Sequence, residues 1–440
     1  MTTRAALCAA LAVLACSLAC RGAVVGTPLH PRHERTCQQR LARRSWAGAK
    51  QHVRVPCDAE DVHCFVMQAL RAWWGRRIPQ ASVERAWKGT TDGEHCVLVQ
   101  VVGGRVLVHA PPVHVVAHEA DPAFEPWKRE LYGQRVDAYV GVINAALLLG
   151  PLPDLELSVC VGDCVAQFDP TLPLHLGDVG MDASFSVVQC LGSSTIPLPL
   201  FDVLRPPDDV PLSGWAAQVG AIKRNRDAHP WRARADKAVF RGGVRSCHQC
   251  ATAEGYHLDH RMIPDFPLPA HLANRTDRPK CGRERAANIA LAAPGGLDFA
   301  VHDLPVGHAG RTVDMPGHEA FKYVAYLHGH CHWANRLRRL LFMGMAVLKQ
   351  VGLCEEFYGM RLQPWVHYIP VDYNLRNLTA AVEWARTHDD DVRTIVANMQ
   401  AYADRFNTAE FAVRYTHHLL NAYGGMLDYA VRLRPGGRVV

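Results

Sequence analysis

The sequence has almost no net charge for its size, few aromatic residues and no internal repeat. Lys and Arg total 48 against 42 Asp and Glu, a formal net charge of +6 over 440 residues. So small an excess does not form the focused basic stripe of a nucleic-acid-binding protein, and no nucleic-acid partner is expected. With 34 Gly and 28 Pro, the composition is neither collagen-like nor disordered. The length predicts roughly two or three folded domains.

A single long apolar run is present, and it lies near the amino terminus. Arg4 precedes uninterrupted small and apolar residues from Ala5 to Ala19, and Arg21 follows. Because this run is shorter than the roughly 20 residues that span a bilayer, residues 1–22 are predicted to be a cleaved signal peptide. The next most apolar segment, 139–149, contains Asn144 and indicates a buried helix or strand. No membrane span is expected beyond the signal region.

Cysteine is abundant, with 15 residues in the chain. Cys8, Cys16 and Cys20 lie in or beside the signal region and leave an even set of 12. An oxidising lumen would convert several of these to disulfides. Sequons at Asn274 and Asn377 permit N-glycosylation in such a compartment. The sequence therefore predicts a protein of the secretory pathway lumen, in the endoplasmic reticulum or Golgi.

The amino-terminal half shows mixed periodicity and ends in a proline-rich stretch. Five prolines and three Asp between Pro197 and Pro211 cannot continue a helix or a central strand, so this stretch is predicted to be a linker. We place the main domain boundary at residue 200. Predicted elements before it are a helix over 64–76, a β-hairpin over 95–109 around Gly103-Gly104, a helix over 124–149 and a strand over 155–161.

The carboxyl-terminal half alternates strands and helices, as in a doubly wound α/β domain. A short strand over 237–240 leads into Arg241-Gly242-Gly243, and the polar stretch from Cys247 to Arg285 indicates a long loop or insertion. The clearest unit is βαβ, with a strand over 321–327, a helix over 333–342 and a strand over 345–349. A strand over 365–371 and helices over 375–388, 392–406 and 409–427 follow.

Two turns in this half are candidate anion sites. In a βαβ unit, the loop at the carboxyl end of the first strand and the helix N-terminus favour an anionic group such as a diphosphate. Here that turn runs from Gly329 to Trp333, and Arg336 is one turn into the predicted helix. Its guanidinium suits phosphate oxygens, although a solvated helix face shared with Arg338 and Arg339 is the alternative. Arg241-Gly242-Gly243 is the second such turn.

Two clusters have the residue types of a metal site. They are His328 to His332, and Cys247 with Cys250. Neither has a second half at ordinary ligand spacing, and thiols in a secreted chain are more often disulfide-bonded. No metal or other cofactor is expected.

Three segments resemble the carboxyl half of glycosyltransferase family 90, which includes the protein O-glucosyltransferases and fungal capsule xylosyltransferases. Motifs KY, RL-x-RLL, FYG and LQPWVHYIPV occur in the family's order, and VFRGG at 239–243 is similar to its FRG turn. Arg285 and the apolar residues after it resemble the next family segment. The segments read HEAFKYVAYLHGHCHWANRLRRLLFMGMAVLKQ, EEFYGMRLQPWVHYIPVDYNLRNL and EWARTHDDD.

The resemblance implies a GT-B-like α/β fold, in which two Rossmann-like domains face a cleft. Residues 23–200 would then be the acceptor-side domain, residues 201–405 the nucleotide-sugar-binding domain, and residues 406–440 a helix returning toward the amino-terminal domain. Arg336 would grip the diphosphate, and Arg241, Gly242, Gly243 and Gly329 would lie near the donor. Fixed arginine and helix-terminus charge would stabilise the UDP leaving group in place of a divalent ion.

The amino-terminal half matches the family poorly, and the candidate general base lies there. The stretch from Leu155 to Asp163 resembles a strand that ends in the catalytic Asp of the protein O-glucosyltransferases. Gly162 and Cys164-Val165 stand where the family has Arg and Tyr-Pro. An Asp suits the role, because one base must take the acceptor hydroxyl proton during attack. A helix- or strand-capping role for Asp163 is the alternative.

Three other carboxylates remain candidates for the base, namely Asp169, Asp182 and Asp202. The function this resemblance implies is inverting transfer of glucose or xylose from a UDP-sugar to a hydroxyl of a protein or glycan acceptor. One hydroxymethyl group separates the two donor sugars, and many positions could form the pocket wall that distinguishes them. A catalytically silent member that binds UDP-sugar or glycan is the alternative function.

Overall fold

The computed structural model is a mixed α/β structure built on two main sheets and a two-stranded bridge. This confirms the α/β class expected from the alternating pattern. The described residues are 61–88, 96–109, 126–162, 182–190, 193–201, 210–243, 282–302, 313–329, 333–352, 354–372 and 375–440.

The first sheet has six strands, in the order β13-β2-β1-β3-β4-β6. It begins with the predicted hairpin, whose two-residue loop is Gly103-Gly104 with φ values of 56° and 73°. Positive φ at both loop positions matches the right-handed twist of the paired strands, so the two glycines select this turn. The strands are β1 (Cys96–Val102), β2 (Arg105–His109), β3 (Leu155–Cys160), β4 (Ser184–Ser186), β6 (Ile196–Pro197) and β13 (Arg438–Val439).

Strand β3 is the centre of this sheet. It pairs antiparallel with β1 and parallel with β4, and all six of its residues are buried. Cys96 lies opposite Cys160 in the β1–β3 register, and the two form a disulfide across 64 residues. In the chain-entropy model, closing a loop of that length stabilises the fold by about 4 kcal/mol. The disulfide therefore holds the strand that leads toward the candidate base.

Four described α-helices belong to the amino-terminal half or pack against it. The predicted helix over 124–149 is observed as Pro126–Leu147, and the last helix of the chain packs on it and on the first helix. Phe411 of the last helix contacts Phe65 with ring centroids 4.9 Å apart, and Tyr423 donates to the Glu156 carbonyl. These helices are α1 (Val62–Ala69), α2 (Gln80–Lys88), α3 (Pro126–Leu147) and α9 (Ala409–Met426).

The second sheet has five strands, all parallel, in the order β12-β10-β9-β7-β8. Its central strands are apolar because helices or loops cover both faces of a parallel sheet. The strands are β7 (Ala235–Gly243), β8 (Leu297–His302), β9 (Phe321–Tyr326), β10 (Ala346–Gln350) and β12 (Ile369–Val371). The described α-helices of this half are α4 (Trp215–Asp227), α5 (Gly282–Ala292), α6 (Leu337–Leu340), α7 (Leu378–Thr387) and α8 (Asp389–Phe406).

The helix predicted over 333–342 is much shorter than expected. Strands β9 and β10 are parallel, as the βαβ interpretation requires, but α6 has four residues. The Gly329 N–H donates to the Trp333 carbonyl at 2.8 Å, and the Ala334 N–H donates to the Tyr326 hydroxyl at 2.8 Å. Because these backbone groups belong to the turn, the helix begins later. A helix this short supplies too little dipole for the helix-terminus contribution to anion binding that we expected.

Two further expectations need correction. The strand predicted over 365–371 begins at Ile369, because Trp365 has φ of 63°, a left-handed conformation that interrupts a strand. The long loop predicted over 247–285 ends earlier, since helix α5 begins at Gly282. Residues 244–281 lie outside the described residues.

A third, two-stranded sheet joins the two halves of the chain. Strand β5 (Val188–Cys190) pairs antiparallel with β11 (Cys354–Glu356). Cys190 and Cys354 lie opposite each other and form a disulfide that closes 164 residues. Cys64 is also disulfide-bonded. The disulfides confirm that several cysteines pair, as an oxidising compartment requires.

The remaining predictions about the chain fall partly outside the described residues. The signal peptide, Asn274 and most of the proline-rich linker lie there, and the domain boundaries at 200 and 405 stay predictions. Asn377 is buried, its side chain accepts from the Asp372 N–H and donates to the Pro370 carbonyl, and it thus stabilises the turn before α7. Within the described ranges, no helix combines the length and apolarity that a membrane crossing requires.

Candidate functional site

The predicted donor turns come together at the carboxyl ends of the parallel strands β7 and β9. Arg241, Gly242 and Gly243 end β7, Gly329 follows β9, and Arg336 immediately precedes α6. The Arg336 Nη1 donates to the Arg241 carbonyl at 2.7 Å. The two sequence-distant turns are therefore in direct contact, at the edge of an open α/β sheet where ligands bind.

Gly242 allows Arg336 to approach. A Cβ at this position would lie 3.0 Å from Cζ of Phe240 and 3.2 Å from Nη2 of Arg336. Both distances are shorter than ordinary carbon contacts, so any side chain here would displace the guanidinium. Gly329 meets the same restriction, since its Cβ would lie 2.8 Å from the Trp333 carbonyl oxygen. Each glycine is required by a close approach and not by its φ.

A third arginine, which sequence reasoning missed, completes the cluster. Arg283 is buried on α5, and it donates from Nε to the His328 carbonyl and from Nη1 to the Gly243 carbonyl, both at 3.0 Å. It thereby fastens the two turns to each other. We expected the family segment to begin at Arg285, two residues later. The signal available was the run Gly282-Arg283 immediately before an apolar helical pattern.

The Phe240 ring supports two of these guanidinium groups. The Arg336 Cζ lies 5.1 Å from the ring centroid and the Arg283 Cζ lies 5.6 Å from it. Cation–π contact and the carbonyl hydrogen bonds orient the two guanidinium groups. The Arg241 guanidinium pairs with Asp298 on β8 at 2.7 Å. The Arg241 main-chain carbonyl contributes to the turn by accepting the hydrogen bond from Arg336.

The arginines and the buried environment shift the pKa values of neighbouring side chains. His318 is buried, and burial lowers the pKa of its imidazole; the charges of Arg336 and Arg241 lower it further. Tyr326 is buried beneath the turn, and burial raises the pKa of its phenol well above the ordinary value. The Tyr326 hydroxyl therefore stays protonated while it accepts from Ala334. The site combines fixed cations with neutral hydrogen-bonding groups, which suits an anionic ligand.

Gln350 anchors the turn from strand β10. Its side-chain oxygen accepts from the His328 N–H at 2.9 Å, and its carbonyl lies 3.0 Å from the His328 Nε2. Gly282 allows the contact with α5, because a Cβ there would lie 2.9 Å from the Gln350 Nε2. His330 and Cys331 lie outside the described residues, as do Cys247 and Cys250. In the described part of the chain, no group of three or more acidic, His or Cys side chains is arranged to hold a metal ion.

The candidate base is not placed by the structure. Asp163, Asp169 and Asp202 lie outside the described residues. Asp182 is described, and its carboxylate accepts from the Arg85 Nε at 2.9 Å in a partly exposed ion pair. Strand β3 ends just before Asp163, and the buried Arg135 donates from Nη1 to the Val161 carbonyl at 2.7 Å. The backbone two residues before Asp163 is thus held by a buried cation.

Replacing Gly242 by Ala tests the packing of the turn. The added methyl group is expected to shift the Arg336 guanidinium by a few tenths of an ångström. With UDP as the donor group that the sequence predicts, binding should weaken by about three- to tenfold. Isothermal calorimetry with UDP measures the change. Gly141→Ala on α3 is the matched control, because nothing lies within 4 Å of its Cβ. Equal UDP affinity in the wild type and Gly242→Ala would contradict the expectation that Gly242 places Arg336 for the donor.

Comparison with known proteins agrees with this geometry. The model of the family described as "Glycosyl transferase family 90" matches residues 126–440, which include the whole parallel sheet and the strands β3, β4, β6 and β13 of the six-stranded sheet. Zebrafish (Danio rerio) protein O-glucosyltransferase 2 is 31% identical over 170 residues, which cover 38% of this chain and 34% of the relative. Human protein O-glucosyltransferase 1 is 27% identical over 296 residues, 66% of this chain and 67% of the relative.

These matches extend to viral proteins. An uncharacterised protein of invertebrate iridescent virus 3 is 27% identical over 199 residues, 44% of this chain and 17% of the relative. The chain therefore spans about a third of the zebrafish relative and two thirds of the human one. The mixed α/β architecture with its parallel sheet is GT-B-like, as expected. Since the family model covers more than half of the sequence, the chain belongs to glycosyltransferase family 90.

Proposed function

We propose that this protein is an inverting glycosyltransferase that moves glucose or xylose from a UDP-sugar to a hydroxyl of a protein or glycan acceptor. The observation that carries the proposal is a pair of guanidinium groups at the carboxyl edge of the parallel sheet. Those of Arg283 and Arg336 both lie against the Phe240 ring. Such fixed cations match the charge of a diphosphate. The named relatives are protein O-glucosyltransferases, which supports glucose as one donor sugar.

Departure of UDP is the step that the arginines would assist. Negative charge develops on the diphosphate as the bond to the anomeric carbon breaks. A cation that is already oriented stabilises this charge without reorganisation. Arg336 is oriented by the Arg241 carbonyl, and Arg283 by the carbonyls of His328 and Gly243. We propose that these groups serve the leaving group in place of a divalent ion.

Attack by the acceptor needs a base on the opposite side of the sugar. The acceptor oxygen bonds to the anomeric carbon as its proton passes to a carboxylate, and inversion follows because UDP departs from the other face. We propose Asp163 for this role and an acceptor-side position for the six-stranded sheet, across a cleft from the donor turns. The central position of β3 and the Arg135 contact support a fixed strand end.

The secretory pathway lumen is the proposed compartment. Two disulfides, Cys96–Cys160 and Cys190–Cys354, pair cysteines that are at most 8% exposed, in register across adjacent strands. Disulfides of this kind persist in oxidising compartments and are rare in the cytosol.

Calorimetric titration with UDP, UDP-glucose and UDP-xylose tests the donor assignment. We expect UDP and at least one UDP-sugar to bind, and we expect transfer or slow donor hydrolysis to release UDP in a chelator-containing buffer. Binding without any release of sugar, over a panel of peptide and glycan acceptors, would favour a catalytically silent member instead. The departures from the family pattern on either side of Asp163 are the observation behind that alternative. No binding of any UDP species would defeat the proposal.

A further inference from the structure

The two-stranded sheet β5–β11 is a bridge that the proposed chemistry does not use. Strand β5 belongs to the amino-terminal half, where Gln189 donates from Nε2 to the carbonyls of Ala69 and Thr195, both at 2.8 Å. Strand β11 directly follows the donor-site strand β10. The Cys190–Cys354 disulfide locks the register, in which Gln189 pairs with Glu355 and Val188 with Glu356. The bridge therefore connects the amino-terminal half to the donor side covalently.

Glu356 extends this connection to helix α6. Its carboxylate is buried and accepts from the Arg338 Nη2 at 2.8 Å and from the Tyr358 hydroxyl. Arg338 is on α6, two residues after Arg336. A buried ion pair of this kind is valuable for geometry more than for net stability, because desolvation offsets much of the attraction. The pair fixes where α6 lies relative to β11.

Arg338 is a further residue through which the two halves are in contact. Its Nη1 donates to the Leu200 carbonyl at 2.6 Å, and its guanidinium lies 5.1 Å from the Phe201 ring centroid and 5.9 Å from that of Trp215. Asn407 donates to the Arg338 carbonyl at 2.7 Å. The side chain and main chain of one α6 residue thus contact four separate parts of the chain.

We propose that Glu356, held on the disulfide-locked strand pair β5–β11, is a positioning residue that keeps α6 and therefore Arg336 in the donor-binding arrangement. The inference rests on the proposed function, because its effect is on UDP binding. Glu356 acts through Arg338 and does not itself touch the donor. Without the lock, α6 samples other positions relative to the Arg241 turn, and only the fraction with Arg336 in place binds UDP tightly.

The expected effect follows from that fraction. Apparent Kd equals the intrinsic Kd divided by the fraction of molecules in the competent arrangement. If release of the bridge lowers this fraction to about one tenth, UDP affinity falls about tenfold. The acceptor KM, measured at saturating donor, does not change, since the competent molecules are unaltered. A general loss of stability would not produce this separation between donor and acceptor parameters.

Two variants of the full-length protein test the proposal. Glu356→Gln removes the charge from the pair and keeps the side-chain shape, and Cys190→Ser with Cys354→Ser removes the lock. Both are expected to raise the Kd for UDP about tenfold, measured by calorimetry well below each variant's Tm. If the double Ser variant does not fold, Glu356→Gln decides.

The matched control is Cys96→Ser with Cys160→Ser. This pair is also a buried cross-strand disulfide, but it lies within the six-stranded sheet. We expect it to lower the Tm and leave UDP affinity within about twofold of wild type, because the competent fraction is unchanged. An equal loss of UDP affinity in the control, or unchanged affinity in Glu356→Gln, would overturn the inference. Failure of the wild type to bind UDP would instead overturn the proposed function, and this inference with it.

Discussion

Replacing Arg336 by Ala is expected to weaken binding of the UDP-sugar by about 2 to 4 kcal/mol, the range for losing one partner of a desolvated charge pair. This corresponds to roughly 30- to 1,000-fold in affinity. The physical reason is the fixed position of the guanidinium, bonded to the Arg241 carbonyl and lying over Phe240. Calorimetry with UDP and initial rates of transfer measure the loss.

Arg393→Ala is the control for the Arg336 variant. Arg393 also carries a guanidinium, but its side chain is 57% exposed and its pair with Asp390 spans 3.8 Å. An exposed ion pair of this kind contributes little to the stability of the fold. Since Arg393 is not among the proposed donor-site residues, UDP binding should not change. Circular dichroism and the Tm establish that Arg336→Ala is folded. Near-normal transfer by a folded Arg336→Ala protein would show that Arg336 does not bind the donor.

Replacing Asp163 by Asn is expected to lower transfer by roughly 100-fold or more while UDP-sugar binding persists. Asn keeps the shape and hydrogen-bonding capacity of the side chain but cannot accept the acceptor's proton. If Asp163 only caps a local turn, Asn substitutes well and activity is nearly unchanged. Initial rates at saturating donor, with calorimetry for UDP, separate the two interpretations.

Asp154→Asn is the matched control at the other end of β3. The Asp154 carboxylate accepts from the Gly103 N–H at 2.8 Å, a bond that Asn can also accept. Transfer by this variant should equal that of the wild type. Full turnover by Asp163→Asn would redirect the search to Asp169, Asp182 and Asp202. The donor-site proposal would stand, because it rests on Arg241, Arg283 and Arg336 and on none of these carboxylates.

Sequence patterns predicted correctly those secondary-structure elements that depend mainly on neighbouring residues. The glycine pair at 103–104 predicted the hairpin correctly, because two adjacent residues with positive φ define its turn. Alternation of apolar strands and helices predicted the βαβ unit from 321 to 350, whose two strands are parallel. The long helices over 389–406 and 409–426 also agree with their apolar periodicity.

The same patterns failed where specific hydrogen bonds or backbone dihedrals override hydrophobic periodicity. The leucines of 337–341 suggested a helix from Trp333, but hydrogen bonds to Gly329 and Tyr326 hold the preceding residues in a turn. Trp365 was assigned to a strand, although its φ of 63° excludes extended backbone. These partners are close in sequence, but hydrophobic periodicity does not register individual hydrogen bonds or a left-handed residue, so periodicity alone overextended both elements.

By itself, the sequence determined the α/β class, the family and the two glycine-arginine turns, because these depend on neighbouring residues and on motif order. Only the tertiary structure decided which residues form the cluster. The parallel registers of β7, β8 and β9 bring Arg241, Arg283 and Arg336 together from three separate segments. The pairing of Cys190 with Cys354 was equally undetermined, since it follows from the β5–β11 register across 164 residues. Contacts between distant segments depend on strand register and helix packing, and a linear pattern does not encode either directly.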